Sequence, residues 1–291
     1  LMSAVPARLA GVGTFVVASP AGEGGALSPA LLGAAGLMEV EEFWVMGGAQ
    51  AVGALAYGTE SIARVDKIVG PGNAWVTAAK LEVLDACAID MPAGPTEVMV
   101  VADASADPVH VAADLLSQAE HGPDSPSLLV TPSEVLADAV EAEIAVQLPT
   151  LRRRDTLAES VRAAGTVVLT ADIEEALAFA DEYAPEHLSC VVADEDAALA
   201  SLRHAGSLFL GAYAPESAGD YAAGSNHVLP TAGAGRAYSP LGVESFGRWM
   251  QVNRVTRDGL ARILPAVAAV AEAEGLTAHR RAVEIRFEDG A

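Results

Sequence analysis

Cysteine is scarce: Cys87 and Cys190 are the only two in 291 residues. Two distant thiols within predicted regular structure make no disulfide framework. They read as buried thiols, with a reducing cytoplasm as the expected compartment. Basic residues are also few, 17 Lys and Arg against 39 Asp and Glu, for a net charge of −22. That excludes non-specific nucleic-acid binding, which needs clustered cations on phosphates. Aromatics are 5% of the chain. No apolar run reaches the ~18 residues of a membrane helix, so no membrane partner is expected. The start, LMSAVPARLAGVGTFVV, lacks the basic region of a signal peptide. It enters apolar sequence at once, as a processed or shortened start would. The GxGxxG dinucleotide fingerprint and the HExxH zinc motif are both missing. What is present is apolar content of 52%, enough for a large core and too high for disorder.

Charge is uneven along the chain. Residues 1–238 hold 10 basic and 32 acidic side chains, and residues 239–291 hold seven of each. The shift predicts a separate C-terminal unit, 239–291. Short β-branched runs alternate with helical stretches before it. Strands are expected at Thr14–Ala18, Phe43–Met46, Lys67–Val69, Glu97–Ala102, Ser127–Thr131, Thr166–Thr170, Ser189–Val192 and Ser207–Leu210. Helices follow Pro29, Gly48 and Asn73, and cover Asp107–Glu120, a stretch to about Val146, Asp172–Tyr183 and a stretch from Asp194. This alternation predicts an α/β fold with mainly parallel sheets covered by helices. Met91-Pro92-Ala93-Gly94-Pro95 interrupts it and marks a junction between residues 1–95 and 96–238. Residues 217–247, rich in Gly, Ser, Pro and Asn, read as a long functional loop. One amphipathic helix, Asp258–Glu274, kinked at Pro265, and a polar tail complete the chain.

Six histidines are present. His110 and His204 sit in helical patterns without unusual neighbours. Gln118 and His121, three apart at a helix end, can approach one ion from a face whose terminal carbonyls favour a cation. Glu186-His187 stands between a helix and the strand Ser189–Val192. Such a pair offers two acid–base groups of different pKa; taken alone, an exposed turn is the plainer explanation. Asp220 and His227 lie in the glycine-rich loop and suit a metal or polar ligand; turn chemistry alone also accounts for them. His279 follows Glu274 in the tail. Pooled, Gln118, His121, Asp220 and His279 form a mixed N/O set acceptable to Zn²⁺ or Mn²⁺. Spacing alone does not make them converge. Gly47-Gly48-Ala49-Gln50 and Gly70-Pro71-Gly72-Asn73 each follow a strand and open a helix, as phosphate-facing turns or plain tight turns do.

Taken together, GGAQAVGALAYGTES, VDKIVGPGNAWVTAAK, DMPAGPTEV, DLLSQAEHGPDS, YAPEHL, ESAGDYAAGSNHVLPT and EGLTAHRRAVEIR resemble the histidinol dehydrogenase family. The motifs run in order over nearly the whole chain. The resemblance implies two incomplete Rossmann-like domains plus a small helical C-terminal unit. Residues 1–95 would bind NAD, 96–238 would carry zinc and catalysis, and 239–291 would dimerise. It implies oxidation of L-histidinol through histidinal to L-histidine with two NAD⁺, one Zn²⁺ per subunit, and a homodimer with shared sites. The motifs align Gln118, His121, Asp220 and His279 with the zinc ligands, and Glu186 and His187 with the catalytic pair. Thr96, Gln118, His121, His187, Asp220, His227, Glu274 and His279 fall on substrate-binding positions. Gln50 and Asn73 fall on cofactor contacts. Thr96 stands where the family often has Ser. In the family the C-terminal His and its nearby Glu come from the partner subunit. The resemblance begins part-way into the family's chain, so part of a sheet is expected to be unpaired here. On the residues alone, a zinc hydrolase and a non-catalytic metabolite-binding relative stay open.

Overall fold

The structure, a computed structural model, describes residues 1–288. The chain divides into Leu1–Gly247 and a second unit starting at Arg248. The junction expected at residue 95 falls inside the first of these.

The first unit opens with α1 (Ala4–Leu9), β1 (Val16–Ser19), α2 (Pro29–Leu37) and β2 (Glu42–Val45). It continues with α3 (Gly48–Tyr57), β3 (Lys67–Ile68), α4 (Ala74–Glu82) and β4 (Ala88–Ile89). β1 pairs with β2 and β3 with β4, both parallel, and each makes a two-stranded sheet. Neither has a third strand among the described residues. α2 starts on Pro29 at its first position, where a missing N–H costs nothing. α4 ends several residues before Cys87.

Under the GPGN turn lies a buried ion pair. Lys80 Nζ bonds Asp90 and also the Gly70 carbonyl at 3.0 Å, while Asp90 accepts the Gly70 N–H at 2.7 Å. These bonds hold the turn so that Asn73, which accepts the Val76 N–H at 3.1 Å, caps α4.

The larger sheet is built from β5 (Val98–Ala102), α5 (Pro108–Ala119), β6 (Ser127–Thr131), α6 (Glu134–Gln147), α7 (Arg154–Ala164) and β7 (Gly165–Leu169). α8 (Ile173–Tyr183), β8 (His187–Val191), α9 (Glu195–Ser201), β9 (Ser207–Leu210) and α10 (Glu216–Tyr221) follow. Its five strands are parallel, in the order β7-β6-β5-β8-β9. β5, β6 and β8 are buried throughout, as strands of a parallel sheet covered on both faces are, and β5 accordingly reads as an apolar run.

Side chains alternate across a strand, and this alternation divides the core. Val98, Val100, Val191 and Leu129 pack with Val111, Ala112 and Leu115 of α5 and Leu136 and Val140 of α6. Met99, Val101, Leu188 and Cys190 face Ala176, Leu177 and Ala180 of α8. His187, in phase with Val191, is thereby sent to the α5 side.

The second unit holds α11 (Arg257–Ala273) and α12 (Thr277–Glu284). Thr256 caps α11, accepting the Gly259 N–H at 3.1 Å, and Pro265 lies inside the helix. The expected polar tail is therefore largely helical. α12 has no apolar run to announce it; it is supported by Arg280, which reaches Glu284 at 2.7 Å and Glu272 at 3.1 Å. Residues 289–291 lie outside the described part. Among the described residues no helix is long and apolar enough to cross a membrane.

Candidate active site

The strand order changes direction between β5 and β8, the point where open α/β sheets usually hold ligands at the carboxyl ends. Here the polar residues gather at the other edge. Val98 opens β5 opposite His187, the first residue of β8. Glu97 and Glu186, one residue earlier on each strand, stand at the amino ends. Helices α5 and α8 each lead into a strand at that edge, so their C-terminal carbonyls gather there. Their partial negative charge favours a cation over a phosphate.

Glu97 ties this edge together. Its N–H donates to Glu186 Oε2 at 3.0 Å, and its carbonyl lies 3.0 Å from His187 Nδ1. That carbonyl only accepts, so Nδ1 carries the hydrogen and Nε2 is left with the lone pair. Nε2 is buried, has no hydrogen-bond partner and lies 3.7 Å from Asp220 Oδ1. His187 is 0% exposed. Burial pulls its pKa down to about 4, keeping the ring neutral and able to accept a proton. Burial raises Glu186 to about 7, and the nearby Glu97 carboxylate adds to the rise.

Chain reversal after β9 brings α10 onto the same centre. Glu216 Oε1 lies 3.6 Å from His187 Nδ1, and Oε2 has no partner. Burial and the neighbouring Asp220 carboxylate raise Glu216 to about 9, so it is protonated at neutral pH. One turn on, Asp220 Oδ1 accepts from His227 Nδ1 at 2.6 Å, which raises the His227 pKa. The His227 and Phe209 rings flank His187 at 6.3 and 6.2 Å.

Two positions differ from expectation. His187 belongs to β8 rather than to a loop, because pairing with Val98 draws it into the ladder. Asp220 sits on a short helix inside the glycine-rich segment. Gly219 argues against a helix by propensity, but a Cβ there would stand 2.3 Å from the Phe209 ring. Close packing, not a turn, requires that glycine.

Gln118 lies on the buried face of α5, and both of its amide atoms are buried without a partner. An amide oxygen in that state is costly unless something binds it. His121 lies just past the end of α5, its N–H on the Gln118 carbonyl at 3.1 Å. Burial and the nearby His227 and Arg153 cations lower its pKa, which favours the neutral, ligating form. His121, Asp220, Glu216 and Arg153 line one cavity. The tightest group of potential ligand atoms among the described residues is His187, Asp220 and His227, all within 4.8 Å of one another. Only Asp220 belongs to both this group and the set expected from sequence. The donors present, imidazole nitrogens with amide and carboxylate oxygens, fit Zn²⁺.

Thr96 Oγ1 is buried without a partner beside Glu186. Gln50 and Asn73 are exposed on the first turns of α3 and α4. In the second unit, Glu274 and His279 are exposed and border an apolar groove lined by Ala266, Val267, Val270 and Ala271. Sequence reasoning missed Glu97, Tyr183 and Glu216, each buried or half-buried by neighbours remote in sequence. His204 is half-buried and outside any helix, 3.1 Å from Asp181 Oδ2.

Gly206 packs tightly against the polar edge. A Cβ on it would lie 2.5 Å from the Glu186 carbonyl and 3.2 Å from that of Pro230. Backbone on both sides cannot yield cheaply. Gly206→Ala is expected to lose about 1–3 kcal/mol of stability, read as a lower urea midpoint with unchanged slope.

The fold and site define an α/β protein with a buried carboxylate–imidazole pair beside a set of metal-ligating side chains. A sequence model of the family described as histidinol dehydrogenase matches residues 1–287. Over 287 residues the chain is 45% identical to the histidinol dehydrogenase of Methanosarcina barkeri, spanning 99% of this chain and 66% of that one. It is 50% identical to the Idiomarina loihiensis protein of the same name over 291 residues, 99% of this chain and 66% of that one. The crystal structure of histidinol dehydrogenase from Elizabethkingia anophelis superposes with a TM-score of 0.93 at 42% identity, covering 98% of this chain and 66% of that one. The chain belongs to the histidinol dehydrogenase family. It spans about two thirds, 65–66%, of the length of the first curated relatives it matches.

Proposed function

We propose that the chain carries histidinol dehydrogenase activity: oxidation of L-histidinol through L-histidinal to L-histidine, the last step of histidine biosynthesis. The balance is one alcohol, one water and two NAD⁺ giving one carboxylate, two NADH and three protons. The observation that carries the reading is His187. It is a fully buried imidazole with Nδ1 held by a carbonyl and Nε2 open toward Asp220, in a chain of this family.

Zn²⁺, one per subunit, would be held by Gln118, His121 and Asp220 with His279 of the partner subunit, and would orient the substrate's imidazole and amine. NAD⁺, when bound, accepts a hydride in each step; Gln50 and Asn73 would contact it. Asn73 uses Oδ1 to cap α4, which leaves its amide N–H₂ for a ligand.

The chain's own groups move the protons. His187 Nε2 takes the hydroxyl proton of the alcohol as the first carbonyl forms. Glu186 takes a proton from the water that adds to the aldehyde. His187 then takes the remaining hydroxyl proton of the hydrate in the second oxidation. Thr96, His227 and Glu274 would hold substrate polar groups, Glu274 serving the partner subunit's centre. A homodimer is part of this reading. It is supported by the exposure of Glu274 and His279 beside the apolar groove. Action in the reducing cytoplasm agrees with the two free, buried cysteines.

NADH formation from L-histidinol by the zinc-loaded, full-length protein tests the proposal; hydrolytic turnover without NAD would overturn it. A second measurement checks the role of Glu186. A base with a pKa near 7 is protonated below that pH and active above it. NADH formation from L-histidinal is therefore expected to rise through about pH 7, and Glu186→Gln to abolish that rise.

A further inference from the structure

Glu97 is a buried carboxylate, 5% exposed, that touches no expected ligand. Both of its oxygens are engaged. Oε2 accepts from the Tyr183 hydroxyl at 2.9 Å, and Oε1 accepts from the Ala232 N–H at 2.9 Å. Tyr183 ends α8, and Ala232 sits in the glycine-rich segment with a positive φ of 53°. The side chain thus joins two segments remote from it in sequence. A further bond, from the Gly94 N–H to Thr231 Oγ1, fastens the stretch that carries Glu97 to the one that carries Ala232.

The main chain of Glu97 does different work. Its N–H holds Glu186 Oε2, and its carbonyl receives both His187 Nδ1, at 3.0 Å, and the His187 N–H, at 3.3 Å. One peptide segment therefore aims both acid–base groups, and the side chain of the same residue anchors that segment on two sides. We infer that Glu97 is a positioning residue: its carboxylate, clamped by Tyr183 and Ala232, holds the backbone that orients Glu186 and fixes the tautomer of His187. A carbonyl can accept from Nδ1–H only while it faces the ring. Loss of the clamp frees the ring to exchange tautomers and to turn Nε2 away from the reacting hydroxyl. Such small misplacements cost rate rather than affinity.

The inference rests on the proposed dehydrogenase reading for its kinetic arm, but not for its spectroscopic arm. The test uses the full-length, zinc-loaded protein as wild type, Glu97→Ala, Glu97→Gln and Tyr183→Phe. Ring ¹⁵N NMR, with His187 assigned through His187→Gln, reports the tautomer without turnover. Wild type is expected to show Nδ1–H alone, and Glu97→Ala a mixture. Glu97→Gln, which can still meet both anchors, is expected to stay close to wild type. In steady-state kinetics, Glu97→Ala should lower kcat for alcohol and aldehyde oxidation alike, by about 10- to 100-fold, with KM for NAD within about twofold. A purely structural residue would lower the melting temperature but leave kcat per folded molecule and the tautomer unchanged, and that result overturns the inference. If Glu97→Ala does not fold, Tyr183→Phe decides: a wild-type tautomer with wild-type kcat overturns the role. If wild type makes no NADH, the functional reading fails, while the tautomer comparison still settles Glu97.

Discussion

His187→Gln is expected to lower kcat for NADH formation from L-histidinol by about 1000-fold, the middle of the range for a lost general base. That corresponds to about 4 kcal/mol of transition-state stabilisation. The size follows from burial: His187 is 0% exposed, so no bulk water reaches the position of Nε2 to substitute for it. Asp220 Oδ1 lies 3.7 Å from that atom, and it is already engaged with His227. Both oxidation steps should suffer, because His187 accepts a proton in each. Glu186→Gln should instead spare alcohol oxidation and slow aldehyde oxidation. Stopped-flow measurement of the first and second equivalents of NADH separates the two variants. Equal loss in both steps for Glu186→Gln would remove it from the water-activating role.

Asp220→Asn should lower zinc affinity by at least about 100-fold, and His121→Asn similarly, since each removes a ligand rather than an outer support. The effect is large because the centre is otherwise short of anionic charge. Burial pushes Glu216 up to about 9 and Glu186 up to about 7, so neither fully replaces a lost Asp220 carboxylate as an anionic ligand at neutral pH. Zinc per subunit, measured by atomic emission after dialysis against a weak chelator, checks the prediction. Unchanged stoichiometry in His121→Asn would exclude that residue from the ligand set, and would favour the alternative grouping of His187, Asp220 and His227.

Much of the fold was legible in local patterns. Ser127–Thr131 and Ser207–Leu210 are strands with the predicted limits. Runs such as Val98–Ala102 announce buried parallel strands because both faces must be apolar. Asp107, Ser133, Asp172 and Asp194 each cap a helix through the side chain, a signal carried within three or four residues. What did not show locally depended on remote neighbours. Gly219 reads as a loop residue yet lies in a helix, and it is glycine because Phe209 leaves no space for a Cβ. His187 reads as part of a turn and lies in a strand because β5 pairs with it. α12 reads as tail because its support is ionic, from Glu284 on the helix itself and from Glu272 of α11.

The sequence by itself determined the alternation of strands and helices, the buried thiols, the strongly acidic charge balance, and the motifs that place the chain in its family. Those features are written in neighbouring residues or in summed charge, and need no knowledge of how the chain closes. Only the tertiary structure decided that the polar centre lies at the amino edge of β5 and β8, that the Gln118 amide is buried without a partner from the protein, and that the main chain of Glu97 bonds both Glu186 and His187. Burial and hydrogen-bond partnership belong to pairs such as 97 with 186 and 183, about ninety residues apart. Desolvation, which sets the pKa of Glu186, His187 and Glu216, exists only once those distant segments have excluded water.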